Sequence, residues 1–322
     1  MKTALITGIL GQDGYYLAKH LLESGYEVYG TARRTAPEKA RITEILPPER
    51  IIFADMRNES QLACAFTRVW PSEVYNLAAQ NFVPSSWTAA WETLNANCGG
   101  LARLLDVIYK LKPDTKVFEA CSAAIFGNEG GACNEETRME PSSPYGVSKV
   151  ASLHMAGLYR SKGMFVATCI LFNHESPLRA PGTMSRKIVD NLARFLEGKP
   201  ETLRLGNLHA ARDYGFAGDY VRAMHAALQA REPDDYVIGT GEAHSVAEFL
   251  DVALESAGIN AQQFSSDWLV RDEAFCRPGE PDSVYADASK ARKVLAWEPR
   301  TSFAEMVDLM VQDAVRAERA YA

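Results

Sequence analysis

The sequence predicts an α/β protein, a doubly wound parallel sheet followed by a smaller α/β domain. Three observations lead there. Short apolar runs alternate with helical stretches through the first 172 residues of the 322-residue chain. A glycine-rich turn joins the first run to the first helix. After about residue 173 the apolar segments shorten, and loops, glycines and prolines increase. Alternation of this kind argues for parallel strands joined by right-handed helical crossovers. The change of pattern argues for a second unit closing over the carboxyl edge of the sheet, where ligands bind in such folds.

The elements follow in order. Strands are expected at about 2–7, 26–31, 51–55, 73–77, 115–121 and 165–172, and helices near 15–24, 36–46, 59–68, 88–111 and 145–162. The first strand, Thr3-Ala4-Leu5-Ile6-Thr7, runs into Gly8-Ile9-Leu10-Gly11-Gln12-Asp13-Gly14, and the amphipathic stretch Tyr15 to Ser24 comes next. In a dinucleotide cradle Gly8 permits the tight turn, Gly11 lets the backbone approach a pyrophosphate, and Gly14 lets helix and strand pack closely. The anion then sits on the helix N-terminus, where free N–H groups and the dipole favour it. The plainer reading is a strand–turn–helix with glycines for the turn alone. The strand that follows also fits the cradle.

That strand, Glu27-Val28-Tyr29-Gly30-Thr31, leads to Ala32-Arg33-Arg34. NAD-binding versions place an acidic residue about 20 residues after the glycines, to hold the ribose 2′-hydroxyl. Two guanidinium groups suit a 2′-phosphate instead, by charge and by their fork of donors. NADP is therefore expected over NAD, with a solvated surface Arg pair as the alternative. Later, the strand ending at Cys121 is followed by Ser122, and Pro144 marks the start of a helix carrying Tyr145 and Lys149. Residues four apart share a helix face. A nearby ammonium favours the charged form of a phenol. A phenolate can take a proton from a sugar hydroxyl while hydride leaves the same carbon. The alternative is a surface Tyr and Lys on a helix; Ser122, whose hydroxyl would reach the same substrate oxygen, argues for chemistry on an alcohol or ketone.

Composition sets outer limits. At 47% hydrophobic and 23% charged, the chain can bury a large core as one big domain or two modest ones. The net charge of −7 argues against a nucleic-acid partner. No apolar stretch approaches the roughly 20 residues of a membrane helix. Met1-Lys2 runs at once into a strand, with no signal peptide expected. The six cysteines, at 64, 98, 121, 133, 169 and 276, show no C-x-x-C spacing, so neither zinc nor a disulfide framework is expected and a reducing cytoplasm is. No residue is assigned to a metal.

Tyr145-Gly146-Val147-Ser148-Lys149, an upstream hydroxyl and the glycine motif together resemble the extended short-chain dehydrogenase/reductases, enzymes built on a Rossmann-type sheet. Longer strings narrow the resemblance over nearly the whole chain. Ala4-Leu5-Ile6-Thr7-Gly8 leading to Gly11-Gln12-Asp13-Gly14, Glu73-Val74-Tyr75-Asn76-Leu77-Ala78-Ala79-Gln80 and Ile170-Leu171-Phe172-Asn173-His174-Glu175-Ser176-Pro177 are similar to the GDP-mannose 4,6-dehydratase family. So are Leu205-Gly206-Asn207-Leu208, Arg212-Asp213-Tyr214-Gly215-Phe216-Ala217-Gly218-Asp219-Tyr220, Arg277-Pro278-Gly279-Glu280 and Ser289-Lys290-Ala291.

The resemblance implies an NADP(H) site at Gly8, Gly11, Gln12, Asp13, Gly14, Arg33, Asp55 and Met56, with Tyr145 and Lys149 also against the cofactor. It implies a GDP site at Asn173, Lys187, Arg212, Arg277 and Glu280; a diphosphate suits Arg and Lys, and a guanine edge suits a carboxylate such as Glu280. Residues 1–172, joined by part of 211–240, would be the cofactor domain, and 173–322 the discontinuous GDP-sugar domain. Relatives pair through helices here placed at 88–111 and 145–162, some forming tetramers through the loop near 33–42, so a homodimer or homotetramer is expected.

One departure matters more than the matches. The family reads Ser-Thr-x-Glu where this chain reads Cys121-Ser122-Ala123-Ala124. In the dehydratase, C4 is oxidised, a base removes the acidified C5 proton, the C6 hydroxyl leaves as water, and hydride returns to C6. The Glu is that base and also assists the leaving group; the methyl of Ala124 can do neither. Acid–base help is worth roughly 10²–10⁴-fold per group. Strand alternation points Glu119 away from Ser122, and Glu175 already has a place in its own motif. What survives is C4 chemistry by Ser122, Tyr145 and Lys149, as a 4-ketoreductase on a substrate such as GDP-4-keto-6-deoxymannose, or as a C4 epimerase or oxidase of a GDP-hexose or GDP-heptose. Ser122-Ala123-Ala124 also resembles the Ser-Ala-Thr of UDP-galactose 4-epimerases. The alternatives are a dehydratase with another base and a non-catalytic NADP- or nucleotide-binding relative.

Overall fold

The computed structural model describes residues 2–34, 41–127, 129–275 and 282–321. Seven strands, all parallel to their neighbours, form the main sheet in the order Asp235–Ile238, Val166–Leu171, Lys116–Ser122, Glu73–Asn76, Thr3–Thr7, Glu27–Ala32 and Ile51–Phe53. The chain winds outward from Thr3–Thr7 in one direction, then returns and winds outward in the other. The reversal opens a crevice beyond the carboxyl ends of Thr3–Thr7 and Glu73–Asn76, the switch point at which such sheets bind ligands.

These strands are apolar along their length because helices cover both faces. Leu5, Val74, Val117 and Val166 pack against the helices Glu59–Val69, Cys98–Leu111 and Pro144–Ser161. Ile6, Tyr75, Phe118 and Ala167 pack against Gln12–Glu23 and Ala217–Gln229. Ile9 is wedged between two glycines: a Cβ on Gly14 would lie 2.5 Å from the Ile9 carbonyl oxygen, and one on Gly30 would lie 2.4 Å from the Ile9 Cβ.

Three expected elements differ. The first helix starts at Gln12, three residues before Tyr15, because Gly11 in extended backbone (φ −77°, ψ 170°) already caps it. The long helix expected over 88–111 is three pieces, Val83–Thr88, Ala90–Ala96 and Cys98–Leu111, interrupted at Ala89 (φ −136°, ψ 51°) and Asn97 (φ −79°, ψ −79°). At the second break the Asn97 side chain accepts from the Gln80 N–H at 2.8 Å and donates to the Gln80 carbonyl at 3.1 Å and to Ser148 Oγ at 2.9 Å. The helix expected over 36–46 lies partly outside the described residues; its described part is a single 3₁₀ turn, Arg41–Glu44.

Beyond residue 173 a second sheet centres on Ala211–Phe216. Asn173–Glu175 and Ser283–Ala286 pair with that strand in parallel, Ala243–Ser245 pairs antiparallel, and Gly131–Cys133 adds to Ser283–Ala286. The helices Met184–Leu196, Val246–Ala257 and Phe303–Tyr321 share a separate core that includes Ile188, Leu192, Phe249, Leu250, Met306 and Met310. A reciprocal Ser245/Glu248 capping box starts Val246–Ala257. No described helix is long and apolar enough to cross a membrane.

Candidate active site

The parallel register brings the expected site residues to one edge. Gly8–Gly14 follows the strand Thr3–Thr7, Arg33 follows Glu27–Ala32, Asp55 and Met56 follow Ile51–Phe53, Ser122 ends Lys116–Ser122, and Asn173 follows Val166–Leu171.

The glycine turn has the shape of an anion cradle. Gly8 takes φ +69°, and a Cβ there would lie 2.9 Å from the Ala78 backbone, so this position is tied to glycine by conformation and by contact. Gly11 is exposed, and a Cβ there would meet only its own turn, the Gly8 carbonyl at 3.3 Å. The helix behind it has no side-chain cap, leaving its first N–H groups directed outward. These features fit a pyrophosphate. The side chains of Gln12 and Asp13 turn elsewhere. Gln12 donates to the His174 carbonyl at 3.0 Å and accepts from Ser176 Oγ at 2.7 Å. Asp13 lies 3.0 Å from His174 Nε2. Burial alone would raise the Asp13 carboxyl, but the charge and hydrogen bond of His174 hold it below the ordinary carboxylate range. Burial alone would lower His174, but Asp13 raises it above the ordinary imidazole value.

Arg33 and Arg34 are exposed beyond their strand, with Arg34 over the Phe53 ring at 5.4 Å. A third guanidinium, Arg57, joins them through a two-point pair with Asp55 at 3.0 and 2.7 Å. Sequence reading overlooked Arg57, whose signal was its position just past the third strand. Arg57 hydrogen bonds, and more weakly the Arg33 charge, hold Asp55 below the ordinary carboxylate range. Met56 is buried, its side chain beneath Gly100.

The residues expected to handle protons come from one strand end and one helix. Pro144–Ser161 starts at Ser143, whose side chain accepts from the Gly146 N–H, and its first two turns carry Tyr145 and Lys149, both buried. Lys149 Nζ lies 6.0 Å from the Tyr145 ring centre and donates to the Ala120 carbonyl at 2.6 Å. Burial alone would lower Lys149, but Tyr145, Glu119 and Cys121 raise it, so it stays charged. Ser122 Oγ accepts from the Ala124 N–H at 3.2 Å, within the turn Ala123–Ile125. That turn abuts the helix start: a Cβ on Gly146 would lie 2.6 Å from the Ala124 carbonyl.

Beneath this pair lies a row of polar side chains that sequence reading did not foresee. Thr7 Oγ1 donates to Asn76 Oδ1 at 2.7 Å, Asn76 Nδ2 donates to Glu119 Oε2 at 2.6 Å, and Glu119 Oε1 lies 3.9 Å from Lys149 Nζ. Burial pushes Glu119 up to about 7, against the Lys149 charge and the Asn76 hydrogen bond. Glu175 is also buried, accepting from Ser185 Oγ at 2.6 Å and paired with Arg179 at 3.1 Å.

Toward the second sheet, Asn173 is exposed in register with Tyr214, next along from Arg212 and Asp213. Asp213 is fully buried and accepts from the N–H groups of Thr240, Gly241 and Ala286, which fixes the strand that carries Arg212. Lys187 Nζ sits 3.7 Å from the Phe275 ring centre, immediately before the segment that contains Arg277 and Glu280. Those two expected ligands lie outside the described residues.

The chain is similar to known proteins over nearly its whole length. The family model described as GDP-mannose 4,6 dehydratase matches residues 5–310. GDP-mannose 4,6 dehydratase 2 of Arabidopsis thaliana is 41% identical, over 97% of this chain and 86% of its own. GDP-mannose 4,6 dehydratase of Cricetulus griseus is 37% identical, over 99% and 92%. Among solved structures, UDP-glucose 4-epimerase of Thermus thermophilus in complex with NAD is similar with a TM-score of 0.84 and 26% identity, over 97% and 98%.

Proposed function

Because the chain belongs to the GDP-mannose 4,6-dehydratase family, we propose that it is an NADP(H)-dependent enzyme moving hydride at C4 of a GDP-sugar. It would act as a 4-ketoreductase, on a substrate such as GDP-4-keto-6-deoxymannose, or as a C4 epimerase or oxidase. The observation that carries this reading is the proton machinery without a second base. Ser122 ends one strand and Tyr145 and Lys149 lie in the first two turns of one helix, while the turn after Ser122 carries Ala124, whose side chain is only a methyl.

In this reading Tyr145 takes the proton of the 4-hydroxyl, or returns it to a 4-ketone. Lys149 favours the charged phenol, and Ser122 donates to the same sugar oxygen. A nicotinamide ring, when bound, accepts or supplies the hydride. Gly8, Gly11 and Gly14, with the uncapped N–H groups after them, would hold its pyrophosphate, and Arg33 with Arg34 supports a 2′-phosphate and hence NADP. Asn173, Lys187 and Arg212, with Arg277 and Glu280, would hold the GDP-sugar. Residues 1–172 with part of 211–240 would serve the cofactor, and the rest of 173–322 the sugar. Elimination at C5 and C6 needs a further base. Glu175 is held by Arg179 and Ser185 and Glu119 is buried with Asn76, so neither is free for that task.

We also propose that two copies pair through the helices Cys98–Leu111 and Pro144–Ser161, which expose Tyr109, Leu111, Val147 and Leu158.

A dehydratase with another base is the second reading, favoured by the 41% identity to a protein of that name. Mass spectrometry after incubation with GDP-mannose or GDP-4-keto-6-deoxymannose, with NADP or NADPH, decides between them. Gain of two hydrogens marks the reductase and loss of water the dehydratase. An unchanged mass with an altered sugar NMR spectrum marks the epimerase, and an unchanged spectrum in every mixture would overturn both readings for these sugars.

A further inference from the structure

Glu119 is an ionisable group in the middle of a sheet, and nothing in the proton chemistry above uses it. Its side chain is 2% exposed, on the face covered by Cys98–Leu111 and Pro144–Ser161. The row Thr7, Asn76, Glu119 crosses three adjacent strands in register, and each member hydrogen-bonds the next. Thr7 Oγ1 also accepts from the N–H groups of Leu77 and Ala78, so the row is anchored at its far end. At its near end stands Lys149, 4% exposed.

The hydrogen bonding of the pair is uneven. Lys149 directs its short bond to the Ala120 carbonyl and Glu119 directs its own contact to Asn76, while the two charges face each other at 3.9 Å. The carboxyl can therefore gain or lose a proton at Oε1 without breaking the short bond of either partner. Among the described residues, Cys98 at the start of Cys98–Leu111 and Cys121 on its own strand also feel Glu119, while Tyr145 faces the ammonium of Lys149 on their shared helix. Burial and the Glu119 charge push Cys98 up, and burial pushes Cys121 up to about 12, so both stay neutral thiols. Lys149 is left as the one nearby charge for Glu119 to answer among the described residues.

We propose that Glu119 is a positioning residue for the Tyr145–Lys149 pair, the buried counter-charge whose protonation decides how strongly the ammonium favours a phenolate. Resting on the C4 reading above, this makes the enzyme's proton transfer answer to a second carboxyl that never touches the sugar. With Glu119 ionised, the field of Lys149 at Tyr145 is partly cancelled; with Glu119 neutral, it acts in full. Burial already holds Glu119 near neutrality, so both states are in reach at ordinary pH.

The test needs neither cofactor nor substrate. In protein carrying [13Cζ]tyrosine, the Tyr145 resonance is assigned by its loss in Tyr145→Phe and followed through its titration. Glu119→Gln keeps an acceptor for Asn76 and removes the charge; the Tyr145 midpoint should fall by about one pH unit, a tenfold change in phenolate at a given lower pH. An unchanged midpoint overturns the proposal. If Glu119→Gln does not fold, the carboxyl resonance of Glu119 is followed in Lys149→Met, where it should titrate higher than in the unaltered protein, and no difference overturns the proposal equally. A shifted Tyr145 in a protein that turns over no GDP-sugar would keep this inference and discard the C4 reading. Turnover with an unshifted Tyr145 would do the reverse.

Discussion

On the proposed C4 reading, one residue, Ala124, separates this chain from a dehydratase. A dehydratase needs a carboxylate to remove the C5 proton, and Ala124 supplies none. Incubation with GDP-mannose in deuterated water should therefore put no deuterium on C5. With NADP added as hydride acceptor, Ala124→Glu should allow measurable exchange by NMR, provided Ser122, Tyr145 and Lys149 support oxidation of C4; robust exchange by the unaltered protein would refute the reading. The phenol is the complementary case. Tyr145→Phe should lower turnover by roughly 10²–10⁴-fold while GDP-sugar affinity measured by calorimetry holds, because the phenol acts on a proton moved in the transition state. A variant keeping more than about a tenth of the rate would contradict that role. At this scale the sequence was legible where geometry is local, as in the placing of Tyr145 and Lys149 on one helix. It was not legible where partners are remote. The bonds from the Gln12 and Asp13 side chains to His174 and Ser176 join residues more than 160 positions apart, with no local signal for either. Glu119 is intelligible only once Asn76 and Lys149 are beside it.

Elements were legible in proportion to how uniformly they are buried. The sheet strands announce themselves as apolar runs, because helices cover both faces. The break at Asn97 did not, since a polar residue inside a helical pattern reads as surface until its bonds to Gln80 and Ser148 are seen. The clasp between the first helix and the strand Asn173–Glu175 gives a prediction at this scale. His174 is raised from 6.5, so its contribution is complete below that value and is lost as pH rises through the folded value. Asp13 is lowered from 3.8, so its contribution is present above that value and is lost as pH falls through the folded value. The pair therefore stabilises most between 3.8 and 6.5. His174→Gln should cost about 2 kcal/mol near the upper end of that window. The cost in denaturant titrations should shrink on moving to mildly alkaline buffer, and an equal cost at both would show that packing, including the stack on Tyr220, does the holding.

For the whole molecule, the doubly wound class and the change of pattern near residue 173 could be read directly, because alternation and its loss are long-range features of composition. The five-stranded second sheet could not, since its strands come from segments scattered between Gly131 and Ala286. The proposed pairing rests on surface rather than core. Val147 and Leu158 are three turns apart on one face of Pro144–Ser161 and are 45% and 60% exposed. Leu158→Glu should convert a dimer to a monomer by light scattering, with the far-UV circular dichroism unchanged; a variant that still pairs would move the interface elsewhere. On the proposed reading, the clasp also ties the binding of cofactor and of sugar together. One turn, Gly11–Gly14, would hold the cofactor by its backbone and is bonded through its side chains to the strand Asn173–Glu175. A hinge pin shared by two doors cannot be steadied for one and left loose for the other. Whatever free energy the first ligand contributes to steadying it, the second no longer has to supply, and the reciprocity of linkage makes that help equal in both directions.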